Sequence, residues 1–322
     1  MLYPIFKFIV RLELLIFCRH VRINKPHYLK SQGPLLVAFN HPNSFLDAII
    51  VDVFFSEHLW SLARGDAFKG DTIKKLLHQF KIMPVYRTSE GVENLTENYK
   101  TFNECIAIFK ENGLVQIFSE GKCVNEWHLR PLKKGTARLA VQAWEQNIPL
   151  KVLPMGINYS SFTRMGKNVF INFGEPITVN DIDITAADGV RNQTFNNILR
   201  TQLEQLIYEI PKEDKKQQEA RLVIKPAIID WILFSIPALA GLILNAPLYL
   251  PIRNFVNKKA AGTGHYDSVM LGLLLITYPF YVLLMILIAW LIFKTSWVWL
   301  LFVAMPFTAW CFVRLKGQLD RE

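Results

Sequence analysis

The uneven distribution of apolar residues restricts the fold of this chain more than any other feature. Residues 227–313 contain only a few charges, whereas the residues before them mix apolar and polar segments as α/β proteins do. The chain has 322 residues, of which 51% are hydrophobic, a high share for a soluble protein. We therefore expect a soluble-type domain followed by a membrane domain.

Three apolar stretches make up the expected membrane domain: 227–250, 271–293 and 297–313. Because a span needs about 20 residues, the second stretch is long enough and the third is short. Pro237, Gly241 and Pro247 interrupt the first stretch, which favours a broken or re-entrant helix over a straight span. With the other two stretches as a hairpin, this topology keeps the flanking basic residues on the cytoplasmic side. These residues are Lys225, Arg253, Lys258, Lys259, Arg314 and Lys316.

The N-terminal segment, residues 2–17, is apolar except at Lys7, Arg11 and Glu13. Lys7 and Arg11 are four positions apart and share one face of a helix. This pattern predicts an amphipathic helix in the membrane interface, with its basic face toward the lipid headgroups. The alternative is a helix packed on the domain that follows.

Between these regions, predicted strands alternate with predicted helices. This order indicates an α/β fold with a mostly parallel sheet flanked by helices, followed by a C-terminal α-helical membrane domain. We expect four regions: an N-terminal interfacial helix region (1–30), a catalytic domain (31–185), a helical and charged linker (186–225) and a membrane domain (226–322) with two to three hydrophobic segments.

Three chemically useful residues, His41, Arg87 and Glu120, each follow directly on a predicted strand. Because active sites of such sheets collect at strand ends, we expect them to converge. Asp47 falls in the first turn of a helix that Ser44 would begin through a capping box. A carboxylate that orients a histidine makes it a better general base.

Four ordered sequence blocks connect these residues to a known family. The blocks are Asn40-His41 with Asp47, then Pro84-Val85-Tyr86-Arg87, then Phe118-Ser119-Glu120-Gly121, then Val152-Leu153-Pro154-Met155-Gly156. In these blocks the chain resembles the glycerolipid acyltransferases of the PlsC type, the lysophospholipid acyltransferase superfamily, over residues 30–180. The first block has five residues between His41 and Asp47, one more than the commonest pattern, and so resembles the branch that acylates glycerol-3-phosphate or dihydroxyacetone phosphate. Ser119 replaces the usual proline, and Lys122 and Cys123 stand where threonine and arginine are often found.

The resemblance implies a transferase of phospholipid and phosphatidic acid synthesis that moves a fatty acyl group from acyl-CoA or acyl-carrier protein to a hydroxyl of glycerol-3-phosphate. His41 would be the general base and Asp47 its partner, with no metal or further cofactor. The expected substrate-binding residues are Arg87, Glu120, Gly121, Lys122, Asn40 and Ser44. Backbone N–H groups near Asn43 and Ser44 are candidates for stabilising the oxyanion. Alternatives are a lysophosphatidate or other lysophospholipid acyltransferase and, outside enzymes, a basic membrane-anchored scaffold.

The charge and the cysteines narrow the range of partners. A net charge of +9 suits anionic lipid and phosphorylated substrates. The chain shows no arginine-rich arm, zinc-finger spacing or RNP-like strand, so we do not expect it to bind nucleic acid. Four scattered cysteines indicate neither a disulfide framework nor a zinc site and fit a reducing compartment. We expect an integral membrane protein whose catalytic domain faces the cytoplasm.

Overall fold

A computed structural model describes residues 2–86 and 93–320. Seven strands form one sheet in the order β1-β7-β6-β2-β5-β3-β4, and every pairing is parallel except that of β6 with β7. The strands are β1 (Cys18–Ile23), β2 (Leu35–Phe39), β3 (Leu59–Arg64), β4 (Ile82–Val85), β5 (Leu114–Phe118), β6 (Lys151–Tyr159) and β7 (Lys167–Phe173). The predicted fold class is therefore confirmed.

Ten α-helices accompany the sheet in the described residues. They are α1 (Leu2–Phe17), α2 (Phe45–Phe54), α3 (Asp71–Gln79), α4 (Glu93–Lys110), α5 (Gly135–Glu145), α6 (Asp188–Leu206), α7 (Lys215–Leu222), α8 (Ile228–Ala260), α9 (Tyr266–Phe293) and α10 (Leu301–Leu315). The predicted elements in the catalytic region occur in the predicted order. Apolar periodicity, and glycine or asparagine residues at the ends of helices, are strong local signals.

Two segments differ from the prediction. Strand β1 was not predicted, and it pairs with β7, so the sheet begins before residue 31, where the catalytic domain was expected to start. Helix α6 lies in the expected linker but buries Phe195, Leu199 and Leu203 against the sheet side that carries α5. Apolar side chains at helical spacing are stabilised by such packing, so α6 is part of the core.

Strand β2 lies in the middle of the sheet and is buried on both faces. Val37 and Phe39 belong to a core on the side of α1, α2 and α9, and Leu36 and Ala38 belong to a core on the side of α4, α5 and α6. Alternate side chains of a strand point to opposite faces, so a strand covered on both faces is apolar throughout. The end of β2 is thereby fixed in a rigid position.

Helix α1 packs on the catalytic region by one face and exposes an apolar stripe on the other. Lys7 does not face outward as expected: its Nζ donates to Phe55 O at 2.8 Å and to Glu57 O at 3.2 Å. These carbonyls end α2, and a cation satisfies them well. Arg11 is exposed, as are five large apolar side chains: Ile5, Phe8, Ile9, Leu12 and Leu15. An apolar outer stripe fits a membrane interface, which stays a prediction.

The three C-terminal helices are long and apolar enough to cross a membrane: Ile228–Ala260, Tyr266–Phe293 and Ser296–Leu315, the last including a short 3-10 turn before α10. Most of their large apolar side chains are exposed in the isolated protein, among them Ile236, Phe280 and Val303. In water this would be costly, and lipid removes the cost. Membrane association is therefore supported.

Helix α8 bends back on itself, although it is a single helix from Ile228 to Ala260. A straight helix of 33 residues would hold its ends about 50 Å apart. Its two flanks instead reach adjacent residues of β7: Asn168 Nδ2 donates to Leu222 O at 2.8 Å, and Lys167 pairs with Asp267. Prolines inside the helix, which bend a helix axis, are Pro237, Pro247 and Pro251.

The bend of α8 lies between α9 and α10. Tyr281 Oη donates to Leu244 O at 2.7 Å, and a Cβ on Gly241 would meet the Thr308 carbonyl oxygen at 2.1 Å, so only glycine fits this crossing. The sequence favoured a broken or re-entrant helix over a straight span, and α8 is a single helix that bends at its prolines. Both of its ends nevertheless lie beside the catalytic region, as the re-entrant interpretation requires.

Candidate active site

The sheet places His41 directly after its central strand. The imidazole stacks on Phe118, the last residue of the neighbouring strand β5, with 3.6 Å between the ring centroids. Its Nδ1 lies 2.9 Å from Asp47 Oδ2. The His41 side chain is 16% exposed and that of Asp47 is 0% exposed, so the histidine forms the accessible end of the pair.

Asp47 is held by three hydrogen bonds. Besides His41, its Oδ2 contacts the Asn43 N–H, which donates at 2.8 Å, and its Oδ1 accepts from Tyr159 Oη at 2.7 Å. Asp47 also lies in the first turn of α2, where the helix dipole favours an anion. These contacts stabilise a carboxylate that is fully buried.

Tyr159 is a site residue that the sequence did not identify. It ends β6, is fully buried, and burial raises the pKa of its phenol, so the hydroxyl stays a donor to Asp47. Nothing in a strand of apolar residues distinguishes a tyrosine whose hydroxyl reaches a distant carboxylate from one that only packs. The only sequence signal is that a buried tyrosine usually has a partner for its hydroxyl.

Glu120 joins two loops through its two carboxylate oxygens. Its Oε2 accepts the His41 N–H and its Oε1 accepts the Arg130 N–H, both at 2.9 Å. The side chain is 4% exposed, and burial raises its pKa. We expected Glu120 to bind substrate. Its oxygens are instead used to fix the backbone at His41, because two loop N–H groups need acceptors there.

Asn40 and Ser44 also make internal contacts. The Asn40 amide pairs with the backbone of Ile157 in β6, donating to its O at 3.0 Å and accepting from its N at 2.9 Å. Ser44 precedes α2 as predicted, but its side chain does not cap the helix. Its Oγ instead shares a hydrogen bond of 2.5 Å with His265 Nδ1.

The backbone N–H groups expected to bind the oxyanion already have partners. The Asn43 N–H donates to Asp47, and the Ser44 N–H lies 2.9 Å from Cys123 Sγ. Both groups point into the protein because they hold the loop that carries His41. Their use as oxyanion donors is therefore not supported.

Two of the remaining predicted residues, Gly121 and Lys122, lie at the turn after β5. Gly121 has a φ of +65°, a conformation that favours glycine, and a Cβ there would lie 3.1 Å from Lys133 Cγ. Lys122 and Lys133 are exposed. Arg87 lies outside the described residues. Strand β4, which precedes it, is separated from β2 by β5 and β3 in the sheet.

Comparisons with known proteins bear on the same region. Residues 20–158, which include His41, Asp47 and Glu120, match the model of the family Acyltransferase. A solved structure, the 1-acyl-sn-glycerophosphate (LPA) acyltransferase PlsC from Thermotoga maritima, is 16% identical with a TM-score of 0.40, over 62% of this chain and 78% of that one. No curated protein matches the chain. The family match supports an acyltransferase domain and does not distinguish between acceptors.

Proposed function

We propose that the protein is a membrane acyltransferase that moves a fatty acyl group from acyl-CoA or acyl-carrier protein to a hydroxyl of glycerol-3-phosphate or dihydroxyacetone phosphate. The observation that carries the proposal is the His41–Asp47 pair, with 2.9 Å between Nδ1 and Oδ2, inside the segment that matches the Acyltransferase family. With Nδ1 bonded to a buried carboxylate, Nε2 is the nitrogen that can take a proton from a substrate.

The proposed reaction is a direct transfer. The acceptor oxygen attacks the thioester carbonyl carbon while His41 Nε2 takes the hydroxyl proton, and the carbonyl π electrons move to oxygen. The tetrahedral intermediate then collapses, the C–S bond breaks, and the leaving thiolate takes the proton from the imidazolium. Asp47 fixes the histidine tautomer and stabilises the imidazolium. General-base help of this kind accelerates a reaction by about a hundredfold to ten-thousandfold.

The acceptor phosphate requires cations. Lys122 and Lys133 lie at the turn after β5, next to the strand end that carries His41, and they supply two exposed ammonium groups. We also propose Arg87 as a phosphate ligand because a guanidinium binds phosphate through two parallel hydrogen bonds. The assignment of Arg87 rests on its sequence position alone.

The unacylated acceptor is preferred because five residues separate His41 from Asp47, as in the branch of the family to which the first block is most similar. Lysophosphatidate is the competing acceptor within the same reaction class. Both acceptors present a hydroxyl and a phosphate, so the His41–Asp47 pair serves either one equally well.

The proposed location of the catalytic region is the cytoplasmic face of a membrane. Both ends of α8, the start of α9 and the end of α10 lie beside the catalytic region. Basic residues flank these helix ends, and cytoplasmic flanks are the basic ones in membrane proteins. They are Lys225, Lys258, Lys259, Arg314 and Lys316. A cytoplasmic site would also meet acyl-CoA and acyl-carrier protein directly.

An acceptor panel tests the proposal. The full-length protein, purified in detergent and returned to phospholipid vesicles, is assayed with palmitoyl-CoA and with palmitoyl-acyl-carrier protein. Each donor is paired with glycerol-3-phosphate, dihydroxyacetone phosphate, lysophosphatidate or lysophosphatidylcholine. We expect the highest kcat/KM with one of the first two acceptors. A higher value with lysophosphatidate would contradict the acceptor, and the absence of transfer with all pairs would contradict the function.

A further inference from the structure

The turn between the apolar helices α8 and α9 contacts the loop that carries His41. We refer to residues 261–268 as the docking turn. They comprise the turn that follows α8 and the first residues of α9. His265 Nδ1 shares a hydrogen bond of 2.5 Å with Ser44 Oγ. Asn43 Nδ2 donates to Asp267 Oδ2 at 2.6 Å, and the Leu46 N–H donates to Ser268 Oγ at 3.2 Å.

Asp267 anchors the docking turn in the protein interior. Its side chain is fully buried and forms an ion pair with Lys167 of β7, which is also fully buried. A buried charge is tolerated only when it is paired and hydrogen-bonded. The same carboxylate oxygen that pairs with Lys167 accepts from Asn43, so it connects the sheet, the apolar helix α9 and the loop at His41.

This contact continues to the histidine through a short path. Asn43 forms hydrogen bonds through both its backbone and its side chain. Its backbone N–H donates to Asp47 Oδ2, the oxygen that also holds His41 Nδ1. The Asn43 side chain, at the other end of the same residue, is fixed by Asp267. A shift of Asn43 would therefore move the group that orients the imidazole.

Ser44 adds a conformational reason for outside support. It is not glycine, yet it has a φ of 50° and a ψ of −134°. L-residues rarely adopt this region, and such conformations persist where surrounding contacts hold them. The contacts are the Cys123 thiol on the backbone N–H and His265 on the hydroxyl. His265 thus holds a strained residue at the start of α2.

We propose that His265 and Asp267 are positioning residues of the active site, which hold the loop at 40–47 in the conformation that orients His41. The proposal rests on the proposed function, because the positioning serves the acyl transfer by His41. Neither residue touches the reacting atoms. The apolar C-terminal helices accordingly contribute to the chemical step as well as to attachment at the membrane.

The test uses substitutions on both sides of the His265 contact. We expect His265→Ala to lower kcat about threefold to tenfold with little change in KM, since a single hydrogen bond contributes about 0.5–1.5 kcal/mol. His265→Asn, whose amide can bond to Ser44, should recover most of the rate. Ser44→Ala should lower kcat by the same factor as His265→Ala. The double variant should lower kcat no further than either single variant, because all three lose the same contact.

Two further measurements separate the possible outcomes. His128→Ala, which removes an exposed histidine bonded to Glu209, is the matched control and should leave kcat unchanged. Amide hydrogen exchange in peptides that cover 40–47 should be faster in His265→Ala, whether or not transfer is detected. An unchanged kcat and exchange rate in His265→Ala, or additive losses in the double variant, would overturn the positioning role. A wild-type protein inactive on all acceptors would instead refute the proposed function.

Discussion

Two regions meet at Asn43 and Ser44, and they are built in opposite ways. The loop at 40–47 is local: six positions separate His41 from Asp47, and a helix start between them brings the two side chains to 2.9 Å. The docking turn at 261–268 is more than 200 residues away in sequence, and only the tertiary fold brings it to the same place. A local motif can thus define the chemistry while a distant segment holds it in place.

The two regions also differ in how their charges are stabilised. Asp47 has neutral donors, Tyr159 and the Asn43 N–H, besides His41. Asp267 has a buried cation, Lys167. A carboxylate with neutral donors keeps its charge available to stabilise an imidazolium, whereas one paired with a lysine is already compensated. On the proposed function, we therefore expect the first region to act in catalysis and the second to support it.

Substitution of the carboxylate in the local region should have the largest effect. Asp47→Asn keeps the size of the side chain but removes the charge that fixes the tautomer of His41, so we expect kcat to fall about a hundredfold to ten-thousandfold. Steady-state acyl transfer measures the change, with circular dichroism to check folding. Asp183→Asn, on an exposed aspartate bonded to Thr185, is the matched control. Equal rates for the two variants would remove Asp47 from the mechanism.

In the distant region the largest effect should be on stability. Lys167→Met leaves Asp267 buried without its cation, which typically costs about 3–5 kcal/mol of unfolding free energy. Adding Asp267→Asn should recover part of that loss, because a neutral amide can still bond to Asn43. Denaturant unfolding in detergent measures both variants. Lys25→Met, which breaks an exposed pair with Glu175, should change little, and a similar loss there would contradict the buried anchor.

Tyr159 connects the local region to the sheet, and its hydroxyl can be removed alone. Tyr159→Phe preserves the packing of the ring and deletes the donor to Asp47. Hydrogen bonds to charged groups contribute about 1.5–3 kcal/mol, so we expect kcat to fall about tenfold to a hundredfold while KM changes little. Tyr208→Phe, on a half-buried tyrosine outside the site, serves as the control. A change in KM alone would indicate that Tyr159 contacts substrate.

The smallest expected effect lies outside both regions. Both Glu13 oxygens in α1 are buried without a partner, and burial raises the pKa of Glu13 to about 8. The folded protein therefore holds this proton at pH values where the unfolded chain has released it, so stability falls as pH rises from about 5 to 8. Glu13→Gln should make the fall in Tm over this pH range smaller by a few degrees. If the Tm–pH curve of Glu13→Gln matched that of the wild type, the raised pKa of Glu13 would be contradicted. The substitution should leave kcat unchanged.

Much of the catalytic region was predictable because its signals are local. Strands β2 and β5 are apolar runs ended by a change to polar residues, and the helices between them have clear periodicity. The positions of His41 after β2 and of Asp47 in the first turn of α2 also followed from local signals. Strand β1 was missed because the charges of Arg19 and Arg22 interrupt its apolar pattern, and it is a strand because β7 offers it an open edge.

The remaining features depend on contacts that no local pattern encodes. The prolines of α8 predicted an irregular helix but not that residues 228–260 would stay a single helical segment. Glu120 was assigned to substrate because carboxylates at strand ends often bind ligands, while its actual partners are the backbone N–H groups of His41 and Arg130. Asp267, near the start of an apolar segment, received no role from the sequence, whereas the structure pairs it with the buried Lys167.

The central claim is that His41 is the base of an acyl transfer, and one measurement tests it most directly. The initial rate of thioester-dependent acylation of glycerol-3-phosphate is compared between the wild type, His41→Ala and the control His128→Ala, all in the same vesicles. We predict that His41→Ala loses at least about a hundredfold in kcat, the lower end of general-base catalysis, and that the control keeps the wild-type rate. A His41→Ala rate within twofold of the wild type would contradict the account.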